Sequence, residues 1–268
     1  MSKPLMIGLL LSRDDGDIIE EVMTEYCKHF DTIYCLDSST DNSLEVIRSY
    51  DKVKYAVHES ELGIHTPELR DGARQLLLPR IQADVGTEGW IFPIHTDEIY
   101  HIRDMGHLMK CAETEGANQI SCLPAHFVLH PEEKGTPGVE RLAELVQESR
   151  LWYILAQCES AGFQNQAGIH WNLGEHMKVL PDGLDRLDTC SRIFIRKHYN
   201  LRTESQARKR IADRLATGWQ PAYKRFDDNL YVSKATDLTS VVYSELQRYE
   251  GTFLFLPEHM GWWKRIDL

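Results

Sequence analysis

The chain has 268 residues and a mass of 31.0 kDa, with 42% hydrophobic, 26% charged and 9% aromatic residues. That is the composition of an ordinary globular protein, and it excludes a disordered, collagen-like or disulfide-scaffold chain. With 30 Lys and Arg against 41 Asp and Glu, the formal net charge of −11 makes a poor general attractor of nucleic acid or anionic lipid, though a local basic patch can still hold phosphate groups.

Residues 5–11 form a short, continuous apolar run, the mark of a strand buried on both faces. The run is too short for a signal peptide and lacks its small-residue cleavage site, and no apolar stretch approaches the roughly 18 residues of a membrane span. A soluble, cytoplasmic protein is expected. Ile18, Ile19, Val22, Met23, Tyr26 and Phe30 then recur at helical spacing, with Asp15, Asp17, Glu20 and Glu21 near the helix start, where the dipole favours them. Residues 32–36 read as a second strand, and the turn and cap residues from Asp37 to Ser43 open a short helix. Residues 53–57 predict a third strand, 70–82 a helix bent or ended at Pro79, and 90–94 a fourth strand. Such alternation means a parallel sheet with helices on both faces.

The second half is less regular. Strands are expected at 119–123, 152–155 and 193–195, and helices at 138–148, 204–215 and 238–248, the second of these strongly basic. The Gly-, Asn- and His-rich stretch 161–188 has no clear period. There is no repeat or low-complexity linker, so one compact domain over 1–268 is expected. The six cysteines are scattered without metal-ligand spacing, which suits buried free thiols in a reducing compartment.

In an open α/β sheet the ligand crevice lies at the carboxyl ends of the strands. Three polar clusters fall there: Ser12-Arg13-Asp14-Asp15, Asp37 to Ser43, and His95-Thr96-Asp97-Glu98. Taken alone, Asp41 more often caps a helix than binds a ligand. If the fourth strand stays extended, His95 and Asp97 project the same way, and Asp97 offers a hard oxygen ligand for Mg²⁺ or Mn²⁺.

The order of these clusters resembles a family-2 glycosyltransferase of the GT-A fold. In that family the second strand ends in a D-D-G-S-T-D turn, to which Leu36-Asp37-Ser38-Ser39-Thr40-Asp41 is similar, and the fourth leads to a D-A-D-E-F element, here His95-Thr96-Asp97-Glu98-Ile99. Downstream, His198-Tyr199-Asn200-Leu201-Arg202-Thr203-Glu204-Ser205-Gln206 is similar to the H-Y-x-x-R-S-x-x-Q segment of one branch. These matches cover about the first 100 residues and residues 192–216.

The resemblance implies an α/β, GT-A, Rossmann-like fold with a mostly parallel sheet. It implies a nucleotide-sugar-binding half over 1–125 and an acceptor-binding half with C-terminal helices over 126–268. It implies transfer of a sugar from a nucleotide-diphosphate sugar, most readily a UDP-sugar, to an unidentified acceptor hydroxyl, with inversion and a divalent ion, Mn²⁺ or Mg²⁺; nucleic acid is an unlikely partner. Ser12, Arg13, Asp37, Arg74, His95 and Arg202 would bind the nucleotide sugar. Asp97 would ligate the metal, and His198 would be the other metal ligand or a phosphate contact. Glu175 is the candidate base, with Asp185 and Asp188 behind it, and Trp171 could stack on a sugar ring. The basic residues Arg202, Arg208, Lys209, Arg210 and Arg214 suit a phosphate, or else a solvated helix face. His95 and Leu36 replace family carboxylates, which keeps open a catalytically degenerate nucleotide-sugar binder. A nucleotidyltransferase fits less well, because the loop after the first strand has a single Gly.

Overall fold

The computed structural model describes residues 4–65, 70–136, 145–175, 179–184, 188–216, 230–232 and 246–251. In chain order the regular elements are β1 (Met6–Ser12), α1 (Ile19–His29), β2 (Thr32–Asp37), α2 (Ser43–Arg48), β3 (Val53–His58), a 3₁₀ turn (Glu59–Leu62) and a second one (Arg70–Leu76). They continue with α3 (Leu78–Val85), β4 (Trp90–His95), β5 (Glu98–His101), α4 (Met105–Glu115), β6 (Gln119–Val128), a 3₁₀ turn (Pro131–Glu133) and α5 (Val146–Ser149). The last are β7 (Trp152–Leu155), β8 (Glu159–Gln164), β9 (Thr189–His198), α6 (Glu204–Ala216) and β10 (Gln247–Arg248). The chain divides into two compact units. One comprises the described residues within Met1–Cys122 and Glu159–Phe194, the other those within Leu123–Cys158 and Ile195–Arg265.

In the first unit the strands lie in the order β3-β2-β1-β4-β8, followed by the Gln119–Cys122 part of β6. β1 to β4 are mutually parallel, and β8 runs antiparallel to β4. This is the α/β, Rossmann-like arrangement expected from the alternating apolar runs. Period-two alternation sends Ile7 and Leu9 of β1 to one face, where they join Tyr34, Leu36, Ile91 and the α3 residues Leu78 and Ile81 in one core. Gly8 faces the opposite way. A Cβ there would lie 2.9 Å from Ile94 Cδ1 and 3.3 Å from Phe30, so the absent side chain lets the segment ending α1 pack close to the sheet. Phe30, Phe92, Tyr26 and Tyr100 fill that face with edge-on and tilted ring contacts at 5.4–5.9 Å.

Pro79 starts a helix instead of ending one. Residues 70–76 form a 3₁₀ turn, and α3 follows with Pro79 in its first turn, where a missing N–H costs nothing because the first N–H groups have no intrahelical acceptor. Neither α4 nor β5 is among the elements expected from sequence. α4 nevertheless carries ordinary signals: Asp104 accepts from the His107 N–H at 3.1 Å at its start, and Gly116 has φ +66° at its end. In the unassigned stretch 161–188 the described residues continue β8 and then run irregularly, with a bridge between His170 and Asp182.

In the second unit, Ala125–Val128 of β6 pairs antiparallel with β7, and β7 pairs antiparallel with β10. The helix expected over 238–248 is therefore a strand at Gln247–Arg248; residues 238–245 lie outside the described part, as do 138–144 of the other expected helix. α6 buries Ala207 and Ile211, four residues apart, against Val128, Leu129, Ile154, Leu201, Leu230 and Val232. All six cysteines are free, and among the described residues no helix is long and apolar enough to cross a membrane.

Candidate functional site

The strand order 3-2-1-4 makes the β1/β4 boundary the switch point of the parallel sheet, because the chain winds to one side of β1 and then crosses to the other. Parallel register brings the carboxyl ends of β1, β2 and β4 together, with Ser12 opposite Asp37 and Leu11 opposite His95. Four carboxylate residues sit buried in this neighbourhood: Asp15 at 5% exposure, Asp37 at 0%, Asp97 at 5% and Glu98 at 3%. Charged groups are rarely buried in this number without a functional or compensating reason.

The loops are tied to one another by side chains. Thr96 Oγ1 donates to Asp15, joining the turn after β4 to the turn after β1 across the switch point. Asp14 has φ +52°, and its Oδ1 accepts from the Thr40 N–H at 2.6 Å and the Thr40 hydroxyl at 3.0 Å. Asp37 accepts from the Ser39 N–H at 3.0 Å and the Ser39 hydroxyl at 2.7 Å, while Ser39 Oγ accepts from the Asp14 N–H at 2.9 Å. His58, at the end of β3, donates through Nε2 to the Ser39 carbonyl at 3.1 Å. Asp41 behaves as a turn former: Oδ1 accepts from Ser43 at the start of α2, and Oδ2 accepts from the Gly16 N–H at 3.0 Å. Ser12 is buried and Arg13 is exposed.

Arg74 is fully buried. One guanidinium nitrogen donates to Asp71 at 2.5 Å and the other terminal nitrogen lies 2.9 Å from His95 Nε2, while Nε has no hydrogen-bond partner among the described residues. An arginine can only donate, so His95 Nε2 accepts and the neutral ring carries its proton on Nδ1. Burial holds the His95 pKa below its ordinary value; Glu98, the Asp97 carboxylate and Asp71 pull it up, and the Arg74 charge pushes it down. Tyr26 also donates its hydroxyl to the His95 carbonyl at 2.9 Å. The extended run that would aim His95 and Asp97 the same way ends at His95: Thr96 and Asp97 form a turn and Glu98 begins β5.

Glu175 closes a tight turn with Asn172, whose N–H and side-chain amide both donate to its carboxylate at 3.2 Å. The turn is docked on the Arg74 segment, since the Gly72 N–H donates to the Glu175 carbonyl at 3.1 Å. A Cβ on Gly72 would lie 2.2 Å from the Asn172 carbonyl oxygen, so only glycine permits this approach. Trp171, expected as a sugar platform, is instead 1% exposed, packed edge-on to Phe163 in the core. Asp188 uses its carbonyl to accept from the Asn118 and Gln119 N–H groups, and Asp185 lies outside the described residues.

In the second unit the H-Y-x-x-R segment leads into α6 and supplies part of its entry. The Thr203 hydroxyl accepts from the Gln206 N–H at 3.2 Å, and Gln206 Oε1 accepts from the Arg202 N–H at 3.0 Å, a variant of the capping box at the start of α6. Arg202 is fully buried and donates to the Tyr199 carbonyl at 3.1 Å. Arg208 is exposed and pairs with Glu204 one turn earlier. His198 Nδ1 lies 3.0 Å from His126 Nδ1.

Asp71, Gly72, His58 and His126 join the hydrogen-bond networks without having been singled out by sequence. Thr96 and Asn200 lay inside quoted motifs, and Arg210 was among the basic residues read as suited to a phosphate. The carboxylates Asp97 and Glu98 offer the hard oxygen atoms that Mg²⁺ and Mn²⁺ prefer, so the residues present fit such an ion.

No protein-family model matches the chain, and no curated protein matches it. Among solved structures, the crystal structure of S. aureus TarS matches with 13% identity and a TM-score of 0.32, over 51% of this chain and 24% of that one. The chain is thus similar to about a quarter of the length of that protein.

Proposed function

We propose that this protein is a glycosyltransferase that moves a sugar from a nucleotide-diphosphate sugar to an acceptor hydroxyl. The observation that carries the reading is the group of buried carboxylates Asp15, Asp37, Asp97 and Glu98 at the strand ends flanking the sheet's switch point, where open α/β sheets bind ligands. The motif resemblance to family-2 enzymes supports it independently.

In this reading Ser12, Arg13 and Asp37 face the nucleoside, and Asp97 holds a divalent ion, Mn²⁺ or Mg²⁺. When bound, that ion supplies positive charge to the departing diphosphate. Arg74 adds a second fixed positive charge, oriented by Asp71 and His95. Its unpartnered Nε leaves a donor for a ligand oxygen. The acceptor oxygen forms a bond to the anomeric carbon as the bond from that carbon to the diphosphate oxygen breaks, its electron pair leaving on the nucleoside diphosphate. Glu175 takes the acceptor proton, and its turn, locked by Asn172 and Gly72, keeps the carboxylate in one place. Inversion follows from a single displacement.

The test is thermal stabilisation by a panel of UDP-, GDP-, TDP- and CMP-sugars with Mn²⁺, followed by donor hydrolysis with Mn²⁺ and with EDTA. A ligand at 100 times its Kd should stabilise by about 2.7 kcal/mol. No stabilisation by any nucleotide sugar would sink the proposal. The neutral His95, standing where the family has a carboxylate and committed to Arg74, favours one second reading, a nucleotide-sugar-binding protein without turnover. Binding with no hydrolysis or transfer in either condition would select it.

A further inference from the structure

β3 ends beside β2 with His58 opposite Asp37 in the parallel register. Both ring nitrogens of His58 face groups of fixed polarity. The Ser60 N–H lies 3.2 Å from Nδ1 and can only donate, and the Ser60 hydroxyl stands 2.7 Å from the same atom. The Ser39 carbonyl lies 3.1 Å from Nε2 and can only accept. Together they set a neutral ring with its proton on Nε2. The residue is also held from behind: its backbone N–H donates to Glu61 at 3.0 Å, and Glu61 pairs with Arg48 at 2.9 Å.

The Ser39 carbonyl and the Thr40 N–H belong to one planar peptide unit. His58 holds its oxygen end, and Asp14 holds its N–H end at 2.6 Å. That plane therefore ties the turn after β2 to the loops after β1 and β3. On the other side of the Ser39 Cα, the Ser39 N–H and hydroxyl fix the Asp37 carboxylate at 3.0 and 2.7 Å. His58 Nε2 itself stands 4.0 Å from Asp37 Oδ2, beyond hydrogen-bond reach, so it acts on the carboxylate through Ser39. We infer that His58 is a positioning residue for the nucleotide: its Nε2–H clamps the Ser39–Thr40 peptide and so keeps Asp37 set toward the nucleoside. The nucleoside end of this chain of contacts rests on the proposed function. The clamp does not.

Two substitutions in the full chain separate the two ring nitrogens. His58→Asn puts an oxygen near the place of Nδ1 and loses the Nε2 donor, whereas His58→Gln puts a donor near the place of Nε2 and loses the Nδ1 acceptor. Each removes one hydrogen bond, so a merely structural role would weaken both variants alike. Amide hydrogen exchange at Asp14, Ser39 and Thr40 should quicken about tenfold in His58→Asn and stay within about twofold in His58→Gln. UDP with Mn²⁺ should bind about fivefold more weakly to His58→Asn, and His58→Gln should restore the affinity to within about twofold of the wild type. NMR of the ¹⁵N-histidine-labelled wild type in alkaline solution should show His58 with Nε2 protonated and Nδ1 bare. A protonated Nδ1, or equal exchange in the two variants, overturns the clamp whether or not any nucleotide binds. Quickened exchange with unaltered UDP affinity in His58→Asn overturns the nucleotide role. Failure of the wild type to bind any nucleotide removes that role together with the proposed function, while the exchange rates still decide the clamp.

Discussion

The two units solve the problem of buried polar groups with opposite chemistry. At the strand ends of the first unit, carboxylates dominate: Asp15, Asp37, Asp97 and Glu98 are all nearly inaccessible. Hydroxyls and backbone N–H groups from Ser39, Thr40 and Thr96 hold that neighbourhood together. In the second unit the segment after β9 is rich in donors: Arg202 onto the Tyr199 carbonyl, Arg210 onto Asn200 Oδ1, and the Asn200 amide onto His198 Nδ1. Acceptor-rich ground suits a cation and donor-rich ground suits an anion. The comparison teaches that an arginine inside a functional motif can also serve the backbone, since Arg202 donates to a carbonyl of its own turn.

Substitutions can break that contrast, beginning with the largest effect. Asp97→Asn removes a charge from the acceptor-rich set and should lower kcat on the order of 10³-fold while the melting temperature holds, measured by steady-state kinetics with Mn²⁺. Wild-type turnover in this variant would refute the metal assignment. Arg202→Ala should cost about 3 kcal/mol of folding stability in urea titration, through lost packing and a buried carbonyl left short of a donor. The exposed Arg208→Ala should stay within about 0.5 kcal/mol.

Gly72→Ala should cost about 2 kcal/mol, because the new methyl meets a backbone carbonyl that cannot swing away. It should also lower kcat by displacing the Glu175 turn. Stability unchanged in this variant would show that the turn is loosely docked. Thr203→Ala should cost about 1 kcal/mol by removing the cap of α6.

The smallest effect is a pH dependence centred on His95. Its folded pKa lies below the ordinary value near 6.5, so the unfolded chain binds the proton more readily. Its contribution to stability is complete above about pH 6.5 and declines as pH falls from there toward the folded pKa. His95→Asn should flatten that part of the stability profile, followed by denaturant titration between pH 5 and 8. An unchanged slope would mean that His95 is not the titrating group.

Much of the first unit was legible because its signals are local. A continuous apolar run is a doubly buried strand wherever it falls, and β1, β2, β3 and β4 appear within one residue of the expected ends. The acidic and hydroxyl clusters sat at strand ends in the sequence, and the parallel register gathers them. Pro79 was ambiguous because the same missing N–H permits a helix start and forbids a helix interior. The strand at Gln247–Arg248 was hidden because two residues carry no period, and their pairing comes from β7, nearly a hundred residues away. Trp171 looked like a ligand platform in a polar stretch, and its neighbours Phe163 and Gln75 become visible only in three dimensions.

By itself the sequence determined the alternation of strands and helices, the acidic balance, the polar turns at the strand ends and the resemblance that names a reaction. Those depend on hydrophobic period, composition and residue order along the chain. Tertiary structure alone decided which carboxylates are buried, that Arg74 is shared between Asp71 and His95, that Gly72 holds the Glu175 turn, and that Asn200 links Arg210 to His198. These depend on which atoms meet across long stretches of chain, and hydrogen-bond direction, unlike hydrophobicity, has no meaning until both partners are in place.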